Sequence, residues 1–436
     1  MNGRRVAITT LGCKANQFDS EVMREELTRL GFDEVPFDEK ADVYIINTCT
    51  VTGKSDYQSR QLIRRAHRLN PNAVIIATGC YAEVFPQEVS ELDGVSGVLG
   101  NQAKREVGPF VSSLMMHRKP LVRVTPVVNG PLEESDIEGF SRHCRAFLKI
   151  QDGCDGACSY CIVPRARGRS RSLPPEKAME ALSRLKAGGY DEIVLTGIHL
   201  GGYGLDLTPS TSLARFVQLL ESAPDIPPRI RLSSLEPTDL TEELLEAVER
   251  SKVICPHLHI PLQSGDNEIL VRMNRGYKRD RFQALIFDIA ERIPHICIGL
   301  DVMGGFPGEG ENQFRNTVEL IEELPVAYLH VFRFSPRRGT AAFDLPQKVK
   351  SDEIRRRCAI LRELGQKKRE TFYGRFLHQR LGVLEEKTTV DEAGWRRGIS
   401  RNYIPVWVEP KETPSDHEID VEITEVRGQK VWGRRV

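Results

Sequence analysis

The chain has 436 residues, 40% of them hydrophobic, and its 61 basic and 61 acidic side chains give a formal net charge of zero. That length suggests about three domains, with enough apolar residues to give each a core. Balanced charge excludes a protein that holds nucleic acid or an anionic membrane through an overall positive field, so any such contact has to be local.

Residues 1 to about 125 alternate strand-like runs (5–10, 41–47, 73–78 and 97–99) with amphipathic helical stretches, which is the pattern of a parallel α/β sheet. Cys13, Cys49 and Cys80 stand at or just past the ends of the first three runs. In open α/β sheets, ligands bind outside the carboxyl ends of the strands, so residues remote in sequence converge there. A lone apolar-context cysteine is usually a small core residue; three at equivalent strand ends predict a shared metal site. Residues 127–142 carry little periodicity and read as a linker.

From 143 to about 370, six strand candidates (146–150, 192–196, 229–233, 257–260, 298–303 and 328–332) alternate with helical patterns near 176–187, 213–222, 240–250, 280–292, 311–323 and 352–370. Six βα units predict an open, partial (βα)6 barrel whose strand-to-loop ends form the active face. Cys154, Cys158 and Cys161 follow the first of these strands with CxxxCxxC spacing. Zinc sites also use closely spaced cysteines, but a structural zinc shell closes with four protein ligands, whereas three thiolates on a four-iron cluster leave one iron open. Arg165, Arg167, Arg169 and Arg171 alternate just beyond this loop, either as a phosphate-facing strip or as a salt-bridged loop. His257 and His259 alternate along a strand and read as packing or hydrogen-bonded support rather than metal ligands. Cys144, Cys255, Cys297 and Cys358 show no ligand spacing and are assigned to packing.

The tail, 371–436, has short β-like runs (382–384, 404–408, 420–423 and 430–432) between glycine, proline and charge, which predicts a small antiparallel barrel. All three tryptophans, Trp395, Trp407 and Trp432, fall there among arginines, and core packing is expected to explain at least one of them. Aromatic and basic side chains on a small barrel can stack bases and neutralise phosphates. Further basic stretches occur at Arg60–Arg68 and at Arg355, Arg356, Arg357, Lys367, Lys368 and Arg369, the last group more simply a solvated helix face. No run approaches the roughly 20 apolar residues that cross a bilayer, and the N-terminus lacks a signal-peptide stretch, so a cytoplasmic protein without membrane attachment is expected. In that reducing setting, ten cysteines argue for metal binding or catalysis rather than disulfides.

Residues 154–161 resemble the signature loop of radical S-adenosylmethionine enzymes. The resemblance implies that the open iron holds the methionine amino and carboxylate groups, and that the reduced cluster splits the sulfonium to a 5′-deoxyadenosyl radical. Tyr160 lies within that loop. Thr196 and Gly197 resemble the segment that receives the methionine amino group, Ser233, Ser234 and Glu236 the ribose contacts, and the Gly304–Glu309 turn, with Gly305 and Pro307, the region beneath the adenine; Gln263 lies at a further strand end. Met303-Gly304-Gly305 departs from the bulkier apolar residues expected before Phe306.

Leu11-Gly-Cys-Lys, Asn47-Thr-Cys-Thr-Val-Thr and Ala77-Thr-Gly-Cys80 are similar to the methylthiotransferase subfamily, over essentially the whole chain, and the tail looks like a TRAM domain. Together with Lys149-Ile-Gln-Asp-Gly-Cys154, Leu195-Thr-Gly-Ile-His-Leu-Gly201 and Arg231-Leu-Ser-Ser-Leu-Glu-Pro237, they match the MtaB type. That type is implied to methylthiolate C2 of threonylcarbamoyladenosine at position 37 of tRNA, using two 4Fe-4S clusters and S-adenosylmethionine. It implies domains at 1–126, 143–370 and 371–436, tRNA as partner, and an electron donor such as flavodoxin or ferredoxin; the sulfur donor is unspecified and a monomer is expected. The alternatives are another tRNA adenosine or a ribosomal protein as substrate, or a zinc-containing RNA-binding protein without turnover.

Overall fold

The computed structural model describes residues 4–117, 119–125, 132, 145–411, 415 and 417–436. Apart from Leu132, the linker expected at 127–142 lies outside them, as does Cys144. Two compact units are present: Met1–Ile137 with Lys149–Pro174 and Ser335–Phe343, and Glu138–Leu148 with Pro175–Phe334 and Asp344–Val436.

The first unit is built on strands β1 (Arg4–Thr10), β2 (Phe32–Glu34), β3 (Val43–Thr48), β4 (Val74–Gly79), β5 (Gly97–Leu99) and β6 (Leu121–Arg123). They form a parallel sheet in the order β2-β1-β3-β4-β5-β6. Helices α1 (Lys14–Arg29), α2 (Gly53–Leu69), α3 (Cys80–Val84), α4 (Pro86–Ser90) and α5 (Val107–His117) connect them. Ile8, Ile45 and Ile76 pack on one side with Met23 and Phe110, while Tyr44, Ile46 and Ile75 pack on the other with Ile63 and Ala66. Burial on both faces explains why these strands read as continuous apolar runs. The strand order reverses between β1 and β3, the switch point at which such sheets open a crevice. β2 and β6 were not expected from sequence: each is only three residues long and carries charge.

The chain next gives β7 (Arg145–Lys149) to the second unit, then returns as β8 (Gln151–Asp152), α6 (Val163–Arg167) and β9 (Arg171–Ser172). Antiparallel pairing of β8 with β9 ties the base of the cysteine loop.

In the second unit follow α7 (Pro175–Ala187), β10 (Glu192–Thr196), α8 (Leu213–Glu221), β11 (Arg229–Leu232), α9 (Glu242–Arg250), β12 (His257–Gln263), α10 (Asn267–Arg272), α11 (Arg279–Arg292), β13 (Cys297–Gly304), α12 (Glu311–Glu323), β14 (Tyr328–Arg333) and α13 (Ser351–Gly374). The strands form two three-stranded sheets, β11-β10-β7 and β12-β13-β14. They are joined by an Ile230–Ile254 bridge and a Leu235 N–H to His259 carbonyl bond of 2.9 Å. This is the expected partial barrel, with α10 as an added helix.

A closed barrel of β15 (Arg380–Val390), β16 (Arg396–Ser400), β17 (Pro405–Val408), β18 (Ile419–Arg427) and β19 (Lys430–Arg435) completes this unit. It is not wholly antiparallel as expected: β17 and β19 pair in parallel, and that pairing closes the barrel. None of the three tryptophans is buried in its core, contrary to expectation; valines and isoleucines such as Val383, Val406, Val408, Val421 and Ile423 fill it, with Phe372, Tyr373 and Phe376 around the end of α13. Glu192, fully buried, holds Arg229 at 2.7 Å and Arg231 at 2.9 Å, and the two guanidiniums donate to the carbonyls of Ile399 and Arg401. No described helix is long and apolar enough to cross a membrane.

Candidate cluster and cofactor sites

Cys13 follows β1, Cys49 follows β3 and Cys80 follows β4, so three adjacent parallel strands deliver them to the crevice side of one sheet. Hydrogen bonds lock the three ends together. Asn16 donates from Nδ2 to the carbonyls of Leu11 (2.7 Å) and Thr48 (3.0 Å), and the Thr48 hydroxyl donates to the Thr78 carbonyl. Burial, then the neighbouring Cys80 and Cys13 thiols, push Cys49 up to about 11. Thiols that crowd and repel as anions are relieved when a multivalent cationic centre binds the sulfurs and their protons are released to solvent. Cys13 stands at the N-cap position of α1, and burial raises its thiol too, against the opposing pull of Arg167.

A feature not anticipated from sequence surrounds these thiols. Asp19 on α1 is buried with Lys104 at 2.7 Å, Lys149 at 2.6 Å and Arg167 at 2.9 Å, and Asp152 holds Lys149 at 2.9 Å and Arg167 at 3.0 Å. Burial opposes ionisation of Asp19, but the three cations outweigh it and hold its carboxyl well below the usual range. Asp152 is likewise lowered to about 2, burial being overcome first by Arg167 and then by Lys149. Glu83 is a further carboxyl facing Arg167 and Lys104, and both of these cations act electrostatically on the cysteines. This suits a centre that carries thiolates and inorganic sulfide.

The second set occupies the loop between β8 and β9. The Gly156 N–H points at Cys154 Sγ (3.2 Å), Cys161 N–H bonds to the Cys158 carbonyl (3.1 Å) and Cys154 N–H to the Gly168 carbonyl (3.0 Å). All three sulfurs are half-buried, and Tyr160 lies between the second and third. Three thiols in one short tied loop, with an amide aimed at the first sulfur, are a donor set for a cluster corner. Of the alternating arginines, Arg167 is buried in the charged network, Arg171 is buried and donates to Gln102 (3.1 Å), Arg169 pairs with Asp155 (3.0 Å) and Arg165 donates to the Arg338 carbonyl (3.3 Å), so the salt-bridged reading describes them.

Cys13, Cys80 and Cys154 are each preceded by a glycine with positive φ: Gly12 (99°), Gly79 (89°) and Gly153 (77°). A Cβ at Gly153 would stand 1.9 Å from the Arg169 carbonyl oxygen, and one at Gly79 would stand 2.3 Å from that of Thr48. Glycine is what lets each cysteine turn sharply off its strand. The segment Ser335–Phe343 was also missed. Buried Arg337 hydrogen-bonds Thr50, beside Cys49, and pairs with Asp56, while the Ala342 N–H donates to the Ser159 carbonyl (2.7 Å).

In the second unit, the remaining candidates all stand at carboxyl ends of barrel strands: Thr196 and Gly197 at β10, Ser233, Ser234 and Glu236 after β11, Gln263 at the end of β12, Gly305 and Pro307 after β13. Ser233 Oγ is buried without a hydrogen-bond partner, as befits a hydroxyl that meets a bound ribose. Glu236 is paired with Arg275, and Gln263 is held at φ 61°, a left-handed conformation that an ordinary side chain rarely adopts. The glycines at 304 and 305 answer to packing: a Cβ on Gly304 would come 2.9 Å from Cys358 Sγ, and one on Gly305 would come 2.3 Å from Ile354. Cys255, Cys297 and Cys358 are buried. On α13, Arg357 is buried against Glu309 (2.8 Å), Lys367 pairs with Glu363 (2.9 Å) and Lys368 bonds the Glu322 and Leu324 carbonyls, so much of that basic stretch is structural.

Residues 5–100 match a family model described as Uncharacterized protein family UPF0004, and residues 148–321 match the Radical SAM superfamily. The chain is 37% identical over 408 residues to the threonylcarbamoyladenosine tRNA methylthiotransferase MtaB of Bacillus subtilis (strain 168), covering 92% of this chain and 89% of that protein. It is 38% identical over 416 residues to MtaB of Aquifex aeolicus (strain VF5), covering 92% and 96%. In fold it is similar to the radical S-adenosylmethionine methyltransferase TsrM from Kitasatospora setae, at a TM-score of 0.56 and 17% identity, over 78% of this chain and 77% of that one. Carrying both matched domains and aligned with these relatives over 92% of its length, the chain belongs to the MtaB family of radical S-adenosylmethionine methylthiotransferases.

Proposed function

We propose that this chain transfers a methylthio group to C2 of N6-threonylcarbamoyladenosine at position 37 of tRNA. The observation that carries the reading is the pairing of two separate three-cysteine sets, one at the ends of three parallel strands and one in a loop tied by β8 and β9. Cys154, Cys158 and Cys161 would hold the cluster that works with S-adenosylmethionine, and Cys13, Cys49 and Cys80 the cluster that carries sulfur. When bound, these groups supply the electron, the radical and the methylthio sulfur. The protein would bind and orient them: Thr196, Gly197, Ser233, Ser234, Glu236, Gln263, Gly305 and Pro307, at the strand ends, would hold the cofactor together with Tyr160 of the cysteine loop. Buried Asp19, Asp152 and Arg167 fix the cysteine-bearing segments so that reacting groups keep their geometry.

By this reading, residues 1–126 form the sulfur-cluster domain, 127–142 a linker, 143–370 the radical domain and 371–436 a TRAM-like RNA-binding domain. Exposed Arg64, Arg65 and Arg68 on α2 and the half-buried Trp407 and Trp432 support contact with a phosphate backbone and with bases. A cytoplasmic monomer drawing electrons from a flavodoxin or ferredoxin accords with the chemistry.

The test is mass spectrometry of nucleosides from tRNA incubated anaerobically with reconstituted enzyme, S-adenosylmethionine, sulfide and a reductant. Threonylcarbamoyladenosine with hydrogen replaced by methylthio is expected. Formation of 5′-deoxyadenosine with no such nucleoside would overturn the substrate assignment and leave the radical chemistry standing.

A further inference from the structure

In the second unit, β12, β13 and β14 bring His259, Asp301 and His330 to one place, with one ligating atom of each within 4.8 Å of the others. Register does this. Asp301 pairs with Pro261 on one side and with His330 on the other, and His259, two residues before Pro261, projects to the same face.

Asp301 Oδ1 stands 2.9 Å from His259 Nε2 and 3.4 Å from His330 Nδ1. Despite this closeness that oxygen is buried and makes no hydrogen bond of good geometry. His259 is anchored from its other nitrogen: Nδ1 lies 3.1 Å from the Tyr328 hydroxyl, which also lies 2.9 Å from His257 Nε2. The single phenol proton serves one imidazole and the other imidazole donates to the phenol oxygen. When His259 is the donor, its Nε2 carries a lone pair rather than a proton. A cation held between that nitrogen and the buried carboxylate oxygen would give both a partner.

The dimensions suit an ion. Metal–ligand bonds of about 2.0–2.1 Å place neighbouring nitrogen and oxygen ligands about 3 Å apart. Two imidazoles and one carboxylate on one side of a metal are a donor set for divalent first-row ions with positions left open. A ligating imidazole normally donates its second N–H to a supporting group, the role Tyr328 fills here. His257 and His259 were expected to support rather than ligate; His257 keeps that part through Tyr328, and His259 gains a second one.

We propose that His259, Asp301 and His330 form a binding site for a divalent first-row transition ion, distinct in its ligands from both cysteine sets, with its open positions on the side of exposed His330. Imidazole and carboxylate donors mark the site as one for zinc, iron(II) or manganese.

Zinc is the probe. Holoenzyme with both clusters reconstituted is exposed to zinc, freed of excess on a chelating resin, and examined for zinc content and zinc K-edge absorption fine structure, which sees zinc without interference from iron. The expected result is about one retained zinc per chain, with a nitrogen/oxygen shell at about 2.0–2.1 Å and imidazole outer scattering. His330→Ala, at an exposed position, and Asp301→Asn, of the same shape, should each weaken zinc binding at least tenfold with iron content unchanged. Failure of the wild-type holoenzyme to retain zinc, a sulfur shell at about 2.3 Å, or equal retention by both variants would overturn the assignment.

Discussion

Arg167, on the helix just beyond Cys161, places its guanidinium 2.9 Å from the carboxylate of Asp19, on the helix that begins at Cys13. The same side chain reaches Asp152, just before Cys154, at 3.0 Å and hydrogen-bonds Asn16. One buried cation thus joins both cysteine-bearing segments. Removing one partner of a buried ion pair leaves the rest uncompensated and costs about 3–5 kcal/mol. Arg167→Ala should therefore destabilise the reconstituted protein by about that amount in urea unfolding. Arg167→Lys should recover part of the loss, because one ammonium cannot span Asp19, Asp152 and Asn16 together. If alanine unfolds at the wild-type midpoint, the strut is not structural.

Glycine before cysteine leads to a second expectation. A Cβ at Gly153 cannot coexist with the Arg169 carbonyl 1.9 Å away, nor one at Gly79 with the Thr48 carbonyl at 2.3 Å. Gly153→Ala should lower iron from about eight to about four atoms per chain and abolish 5′-deoxyadenosine formation. Gly79→Ala should lose the other four while keeping that activity. Iron analysis and product chromatography decide; full iron in either variant would show that the turn tolerates a side chain.

Much of the fold was legible because periodicity reports burial: all six barrel strands and six of their helices lie within a few residues of the expected spans. What was hidden had physical causes. β16 begins Arg396-Arg397-Gly398, which reads as a turn, yet in the closed barrel Arg397 pairs with Trp407 on the outer face while Gly398 pairs with Val406 of the core. Nothing in the strand-like run 229–233 marks Arg229 and Arg231 as buried; only the fold brings both to Glu192 and Arg229 also to Glu418. Both cysteine sets were visible from spacing and strand position. Asp19, Lys104 and Arg337, which surround them, carry no local signature, and His259, Asp301 and His330 meet only through strand register.

The Glu192 site sets an acid limit. Burial penalises its charge, but Arg231 and then Arg229 outweigh that and hold its carboxyl far below the usual range. A depressed folded value means that the stabilisation is complete above the unfolded value of about 4.3 and fades as pH falls below it. Glu192→Gln should cost about 3–5 kcal/mol at pH 7. The gap from wild type should narrow as pH drops below about 4, a trend that denaturant titrations at several pH values would reveal. A gap constant with pH would mean that the carboxylate charge is not what matters.

Cys49 offers a pH test of opposite sign. With its thiol raised to about 11, it is protonated throughout the neutral range in the metal-free protein, and binding iron must expel that proton. Alkylation of Cys49, followed by peptide mass spectrometry, should accelerate roughly tenfold per pH unit from 7.5 to about 10. A plateau near 8.5 would place the thiol in an ordinary environment and remove the crowding argument.

On the tail barrel, Trp407 and Trp432 are direct partners in the parallel β17–β19 pair, and Arg397 pairs with Trp407 on the next strand. The flanking Val406, Val408 and Val431 point inward and are buried, so the two indoles share the outer face with a guanidinium beside them. Stacking a base on an aromatic side chain is worth about 1–3 kcal/mol, and it barely depends on salt because no phosphate is neutralised. Trp407→Ala or Trp432→Ala should weaken tRNA binding by about 5- to 150-fold with an unchanged salt slope. Replacing Arg64 or Arg65 on α2 should instead flatten that slope by about one counterion each. Fluorescence titrations at several salt concentrations separate the two. If the tryptophan variants alter the slope and not the affinity at fixed salt, the barrel meets the backbone and not the bases.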